Sequence, residues 1–222
     1  MKSRRVVFVA LLFSCFVVRD VLAATYTLEA VSGAPEGARA ELRSTLQPQG
    51  YRVLNEKGAI WCEVWIRQEV ANLAKPASPE AKYQTLHEGQ LLGMMKFHAA
   101  GSDYRGQAIK PGLYTLRYAV MLQDGNHLGV SPILDFVLLI PAADDTKEAD
   151  AVLSSEEVVA LSRKASGTNH PAVISLASPP DAAGCGTLEK DDANHWVLKV
   201  KSQSKPDGDL PIGIIVVGRA EG

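Results

Sequence analysis

From Leu113 to Leu122 the chain reads LYTLRYAVML, which places Tyr114, Leu116, Tyr118, Val120 and Leu122 at every second position. Side chains alternate across a strand with a period of two, so one face of this run is apolar along its whole length. ILDFVLLI, residues 133–140, repeats the pattern with Leu134, Phe136, Leu138 and Ile140, and Pro141 stops it. The two runs are predicted to pair as antiparallel neighbours. Strands of this kind must cover their apolar faces, which limits the chain to layered or closed β architectures.

The same period recurs elsewhere. TYTLEAV (25–31) opens the series, and QLLGMMKF (90–97) reads as a further strand. GYRVL and AIWCEVWI flank NEKG, a predicted hairpin in which Gly58 supplies the positive φ that other residues resist. In the second strand of that hairpin, alternation assigns Ile60, Cys62, Val64 and Ile66 to one face and Trp61, Glu63, Trp65 and Arg67 to the other. AVISLA, then HWVLKVKSQ and IGIIVVGR about a turn at KPDG (205–208), complete the strands. AKPASPEAK (74–82) reads as a connection, and the acidic PAADDTKEADAV (141–152) as an exposed loop.

One helix stands out, SSEEVVALSRKASG (154–167). Ser154 with Glu157 three residues on forms a capping box, and Val158, Leu161 and Ala165 give an apolar stripe. Arg163 and Lys164 suit the negative end of the helix dipole, and Gly167 ends the run. The expected fold class is therefore mainly β: an antiparallel β-sandwich with one short helix at about 154–166, in a single domain over 24–222. The part after residue 153 is small for a core of its own.

KPGLYTLRY, residues 110–118, resembles the P-G-x-Y-x-L edge of secreted β-sandwich modules such as transthyretin-like and carboxypeptidase regulatory-like domains. Pro111, Gly112, Tyr114 and Leu116 match it. The resemblance covers those nine residues and implies a Pro-Gly turn launching a strand whose Tyr and Leu pack inward. It implies an architecture and no function.

The first 23 residues have the layout of a secretory signal peptide: Lys2, Arg4 and Arg5, an apolar run from Val6 to Val18, then VLAA, with cleavage expected after Ala23 or one residue later. Arg19 and Asp20 interrupt the run before it reaches the ~20 residues a membrane span needs. Cys15 does not fit a lipoprotein site, because Phe13 is bulky and apolar sequence continues past it. Removing four basic residues and one acidic residue takes the net charge from −2 to −5. The mature chain is thus expected to be exported, periplasmic or extracellular, without a transmembrane segment. Its acidity argues against nucleic acid as a partner.

Catalytic signatures are sparse. There is no G-x-S-x-G elbow, HEGQL (87–91) has Leu91 where H-E-x-x-H needs its second histidine, and PDGDL lacks the ligand ladder of a calcium loop. Three of the five histidines, His127, His170 and His195, follow an asparagine, although there are only five asparagines. Imidazoles on loops can converge on zinc or copper, with Asp124 as a further ligand or an orienting carboxylate. The competing reading is that Asn spells a left-handed turn and His follows it. Trp61 and Trp65 would form an aromatic contact strip for a sugar or a partner, unless a second layer, such as the 154–166 helix, buries them. Cys62 and Cys185 either pair in an oxidising compartment or remain free, with Cys62 packed as a small apolar residue. These features favour a non-enzymatic protein that binds an unidentified protein or small ligand through loops near 123–132 and 167–171. A metal-binding protein or metalloenzyme is the alternative, and no cofactor is named by the sequence.

Overall fold

The computed structural model describes residues 25–72, 78–122 and 131–219. The chain is mainly β, as its alternation predicts. Its strands are β1 (Thr27–Ser32), β2 (Gln49–Leu54), β3 (Ile60–Ile66), β4 (Glu69–Ala71), β5 (Leu91–Phe97), β6 (Gly101–Ser102), β7 (Ala108–Ile109), β8 (Gly112–Val120), β9 (Asp135–Pro141), β10 (Val173–Ala177), β11 (Thr187–Lys190), β12 (Trp196–Lys205) and β13 (Gly208–Val217). The helices are α1 (Ala40–Arg43) and α2 (Ser155–Ser166).

Among the described residues, β6 and β7 form a small hairpin of their own and the other eleven strands form one sheet. Its order is β1-β2-β3-β5-β8-β9-β10-β13-β12-β11, with antiparallel neighbours throughout, and β8 and β9 pair as expected. β4 adds a parallel pairing to β12. Because β4 follows β3 almost directly, one stretch of chain pairs with β5 in the first half of the sheet and with β12 in the second. The sheet therefore folds back on itself. Trp61 Nε1 on β3 donates to the Val216 carbonyl on β13 at 2.7 Å, and Gln203 N donates to the Gln68 carbonyl at 3.1 Å.

The inner face of this folded sheet is the largest apolar cluster. Tyr114, Leu116 and Tyr118 of β8 meet Val137 and Leu139 of β9 there, together with Leu198 and Val200 of β12 and Ile212, Ile214 and Val216 of β13. β8 and β9 are buried on their other face as well. Phe136, Leu138 and Ile140 form a second cluster with Leu153 and Val158 beneath α2. Leu42, Leu46, Trp65, Leu91 and Met94 form a third, under α1 and its flanking chain.

The helix follows its sequence closely. The Ser154 side chain accepts from Glu157 N, and the Glu157 side chain accepts from Ser154 N, so the capping box is complete. Gly167 ends the helix with φ 69° in the left-handed region. Its buried face is Val158, Ser162, Ala165 and Ser166, while Leu161 is only half-buried. The serines are anchors: Ser162 Oγ bonds both the amide and the carbonyl of Ala172, and Ser166 Oγ donates to the His170 carbonyl at 2.7 Å.

The acidic 141–152 segment is a correction. It is not simply an exposed loop, since Ala142, Asp145 and Ala149 are buried in it. Asp145 is fully buried and takes a bidentate bond from Arg117 of β8, at 2.9 Å from Nε and 3.0 Å from Nη2. Arg117 Nη1 spans the carbonyls of Gly89 and Ala151 at 3.0 and 2.6 Å. Burial by itself would raise the Asp145 carboxyl, but the bonds from Arg117 and Thr115 hold it below the usual carboxylate range. The segment is a strap, tied to the outer face of the sheet by the guanidinium.

Candidate ligand-binding site

On the outer face, α2 does not close completely over the strands. A cavity of about 260 Å³ lies between the helix, the C-terminal end of β8, the N-terminal part of β9, and the turn that follows the helix. Ser155, Val158, Val159 and Arg163 line it from the helix, at spacings that share one helical face. Ala119, Phe136, Leu138 and Val173 form its floor on the sheet. Met121 and Leu122 reach it where β8 ends, and Leu122 is 67% exposed.

Three cationic or basic side chains stand on its wall, Arg105, Arg163 and His170. Among the described residues, no carboxylate comes within ion-pair distance of either guanidinium. Glu88 also lines the cavity, but its carboxylate is already engaged, accepting from Val120 N at 3.0 Å and from Ser155 Oγ at 3.3 Å. The 167–171 turn is fixed from within. His170 N donates to Thr168 Oγ1, and Thr168 Oγ1 donates to Gln107 Oε1 at 2.7 Å. Gln107 belongs to the β6–β7 turn, which Asp103 organises by accepting from Gln107 N at 2.8 Å. Burial raises the Asp103 carboxyl against the opposing bonds from the backbone of Gln107, Val173 and Arg105 and against the attraction of the Arg105 guanidinium, which lies beyond ion-pair distance. Arg105 is thus presented from a rigid turn.

A second, larger cleft of about 490 Å³ opens beside His195. Asp191 and His195 bracket the β11–β12 turn. His195 N donates to Asp191 Oδ1 at 2.8 Å, and His195 Nδ1 lies 3.0 Å from Asp191 Oδ2. On the other side of the ring, Nε2 lies 3.2 Å from the Tyr104 hydroxyl. The imidazole is buried and fixed at both nitrogens.

The sequence candidates separate as follows. Asp124 and His127 lie outside the described residues, and with them half of the expected zinc or copper set. His170 and His195 line different cavities, and among the described residues no group of three His, Cys, Asp or Glu side chains could hold a metal ion. Asn194 has φ 63°, so the asparagine there does spell a left-handed turn, whereas Asn169 does not take that conformation.

The two tryptophans do not form a strip. The β2–β3 register shifts beside Val53 and Leu54, leaving Trp61 as the extra residue of a bulge. Trp61 joins Cys62 on the inner side of the sheet, packed edge-on to Tyr26 and Phe97. Trp65 remains on the outer face, where the chain around α1 covers it in place of α2, and its Nε1 donates to the Gly33 carbonyl at 2.8 Å. Glu63, between them, is held by Arg52 and His98 at 2.7 Å each. Its burial favours the neutral acid, and those two partners lower its pKa in spite of it. Among the described residues, Cys62 and Cys185 are unpaired: Cys62 is buried, and Cys185 Sγ lies 3.1 Å from the Val200 carbonyl.

Sequence reasoning missed Arg105 and Arg163 beside the cavity, missed Arg219, which lines the cleft beside His195, and missed the β6–β7 hairpin altogether. No protein-family model matches the chain, no curated protein matches it, and no solved structure matches it.

Proposed function

We propose that this is an exported binding protein that takes a small amphiphilic anion, an alkyl or aryl body bearing one carboxylate, into the cavity beneath α2. The observation that carries the reading is an apolar chamber whose wall holds two guanidinium groups with no carboxylate of the described residues at ion-pair distance. Unpaired arginines beside an apolar surface are suited to a ligand with the same two parts, since Arg binds carboxylate through a planar, bidentate fork. The volume of about 260 Å³ corresponds to about nine water volumes at ~30 Å³ each, enough for a body of eight or so carbons. The basic and apolar layout of residues 2–23 supports an encounter outside the cytoplasm.

Burying the seven alkyl carbons of octanoate contributes roughly 6 kcal/mol at ~0.8 kcal/mol each. Association costs at least about 4 kcal/mol of that, so the charge contact decides whether the complex is measurable. The test is calorimetric titration of the mature chain with octanoate and with octanol. Octanoate is expected to bind about tenfold or more tightly than octanol, as a hydrogen bond to a charged group contributes ~1.5–3 kcal/mol. Arg163→Gln should remove most of that advantage. Val159→Trp, at a half-buried position, should block both ligands while the protein stays folded. Equal affinity for acid and alcohol would refute the reading, as would octanoate binding that survives Val159→Trp.

A further inference from the structure

The cleft beside His195 differs in chemistry from the cavity under α2, although consecutive residues of the β6–β7 turn serve the two. Arg105 faces the apolar cavity and Tyr104 faces the cleft. Tyr26, Trp61 and Tyr104 give the cleft aromatic surface, and Asn194, His195 and Arg219 give it polar groups. The indole of Trp61 is fixed by its bond to Val216 and by edge contacts to Tyr26 and Phe97, so it meets a ligand without losing rotamer freedom on binding. Arg219 comes from the end of β13 and lies over the β6–β7 turn: a β-carbon at Gly106 would sit 2.4 Å from its Nη2. Among the described residues, its guanidinium has no ion-pair partner.

Fixed aromatic rings suit the apolar C–H face of a pyranose. The amide of Asn194 and the phenols of Tyr26 and Tyr104 suit the hydroxyls around its rim. A cation on the same wall adds selection for a carboxylate. We propose that this cleft is a second, independent site that binds an acidic saccharide through a terminal uronate, with Arg219 receiving the carboxylate and Trp61 the ring. At about 490 Å³ the cleft has room for one or two sugar units.

The test is a two-dimensional NMR titration of the mature chain with galacturonate, galactose, glucuronate and glucose, read at the indole N–H groups. Each uronate is expected to bind about tenfold more tightly than its neutral parent, from one charge-assisted contact. The Trp61 indole resonance should move and that of Trp65, on the opposite face of the sheet, should not. In Arg219→Gln the acid and the neutral sugar should bind alike. Saturating octanoate should leave uronate binding unchanged, since the two sites are separate. The proposal is overturned by equal affinity for acid and neutral sugars, by a uronate preference that survives Arg219→Gln, or by displacement of uronate with octanoate. A Trp61 resonance that no sugar moves, in a protein whose dispersed spectrum shows it folded, overturns it too.

Discussion

Replacing Asp145 with alanine removes one side chain and strands another. Both members of the Arg117–Asp145 pair are inaccessible to solvent, at 0% exposure each. The carboxylate satisfies Arg117 Nε and Nη2 and also accepts from Thr115 Oγ1 at 2.7 Å. Without it the guanidinium keeps only the Gly89 and Ala151 carbonyls, in a site closed to bulk solvent. Breaking a buried ion pair from one side costs ~3–5 kcal/mol. For a protein of this size that is about 6–20 °C in Tm. The loss should depend on pH in a fixed direction. Asp145 titrates below its unfolded value of ~3.9, so its contribution is complete above that value and fades as pH falls through the depressed folded pKa. Urea denaturation followed by tryptophan fluorescence should show the full deficit of Asp145→Ala at pH 7, and a shrinking one as the pH falls below ~3.9. Arg117→Met in the same background should recover part of the loss, because no buried charge is then left unpaired. A deficit below ~1 kcal/mol at pH 7, in the range of an exposed pair, would refute the strap as an anchored element. So would a deficit of constant size down to the acid limit.

Three shorter tests follow from other elements. Ser154→Ala removes the side-chain half of the capping box and should cost ~1 kcal/mol, seen as a lower urea midpoint at unchanged m-value. Burial pushes the Cys62 thiol far up, while Cys185 is partly accessible; an aromatic disulfide reagent at pH 8 should label one thiol in the folded mature chain, which lacks Cys15, and two in urea, and labelling of neither in urea would reveal a Cys62–Cys185 disulfide. Expression of the full chain with its first 23 residues should yield a product beginning at Ala24 in the exported fraction, checked by intact mass. Retention of Met1–Ala23 on the mature product would remove the basis for an extracytoplasmic ligand.

How far the sequence reveals the fold depends on whether an element is specified locally. β8 and β9 alternate strictly, and α2 carries its N-cap, its stripe and its stop within 14 contiguous residues, so all three are legible. Trp61 is misassigned because a bulge inserts one residue into the β2–β3 ladder, and a slip of one residue exchanges the faces of a strand. Asp145 reads as surface because its partner lies 28 residues earlier, on a strand that alternation alone would let face either way. The histidines are only half legible. Asn194 does take the turn conformation, but what fixes His195 is Asp191 below it and Tyr104, 91 residues away, on a hairpin whose two-residue strands are too short to show alternation.

The same reasoning explains why the cavities were not visible at all. Central strands that are apolar on both faces need two covers. The inner face supplies its own, because the sheet folds back through β4 and β12. The outer face must borrow its cover from unrelated segments, and each has a separate fastening: Trp65 to Gly33, Arg117 to Asp145, and Ser162 to Ala172. Where α2 ends and the 167–171 turn begins, the cover is incomplete, and Leu122, Phe136 and Val159 are left around a space that none of them encloses alone. Each lining residue taken singly looks like ordinary core or ordinary surface. Loosening one fastening should therefore disturb one cavity and spare the other. Ser162→Ala frees the bond between α2 and Ala172, so it should weaken octanoate binding while leaving the Asp191–His195–Tyr104 contacts, and the cleft they shape, unchanged.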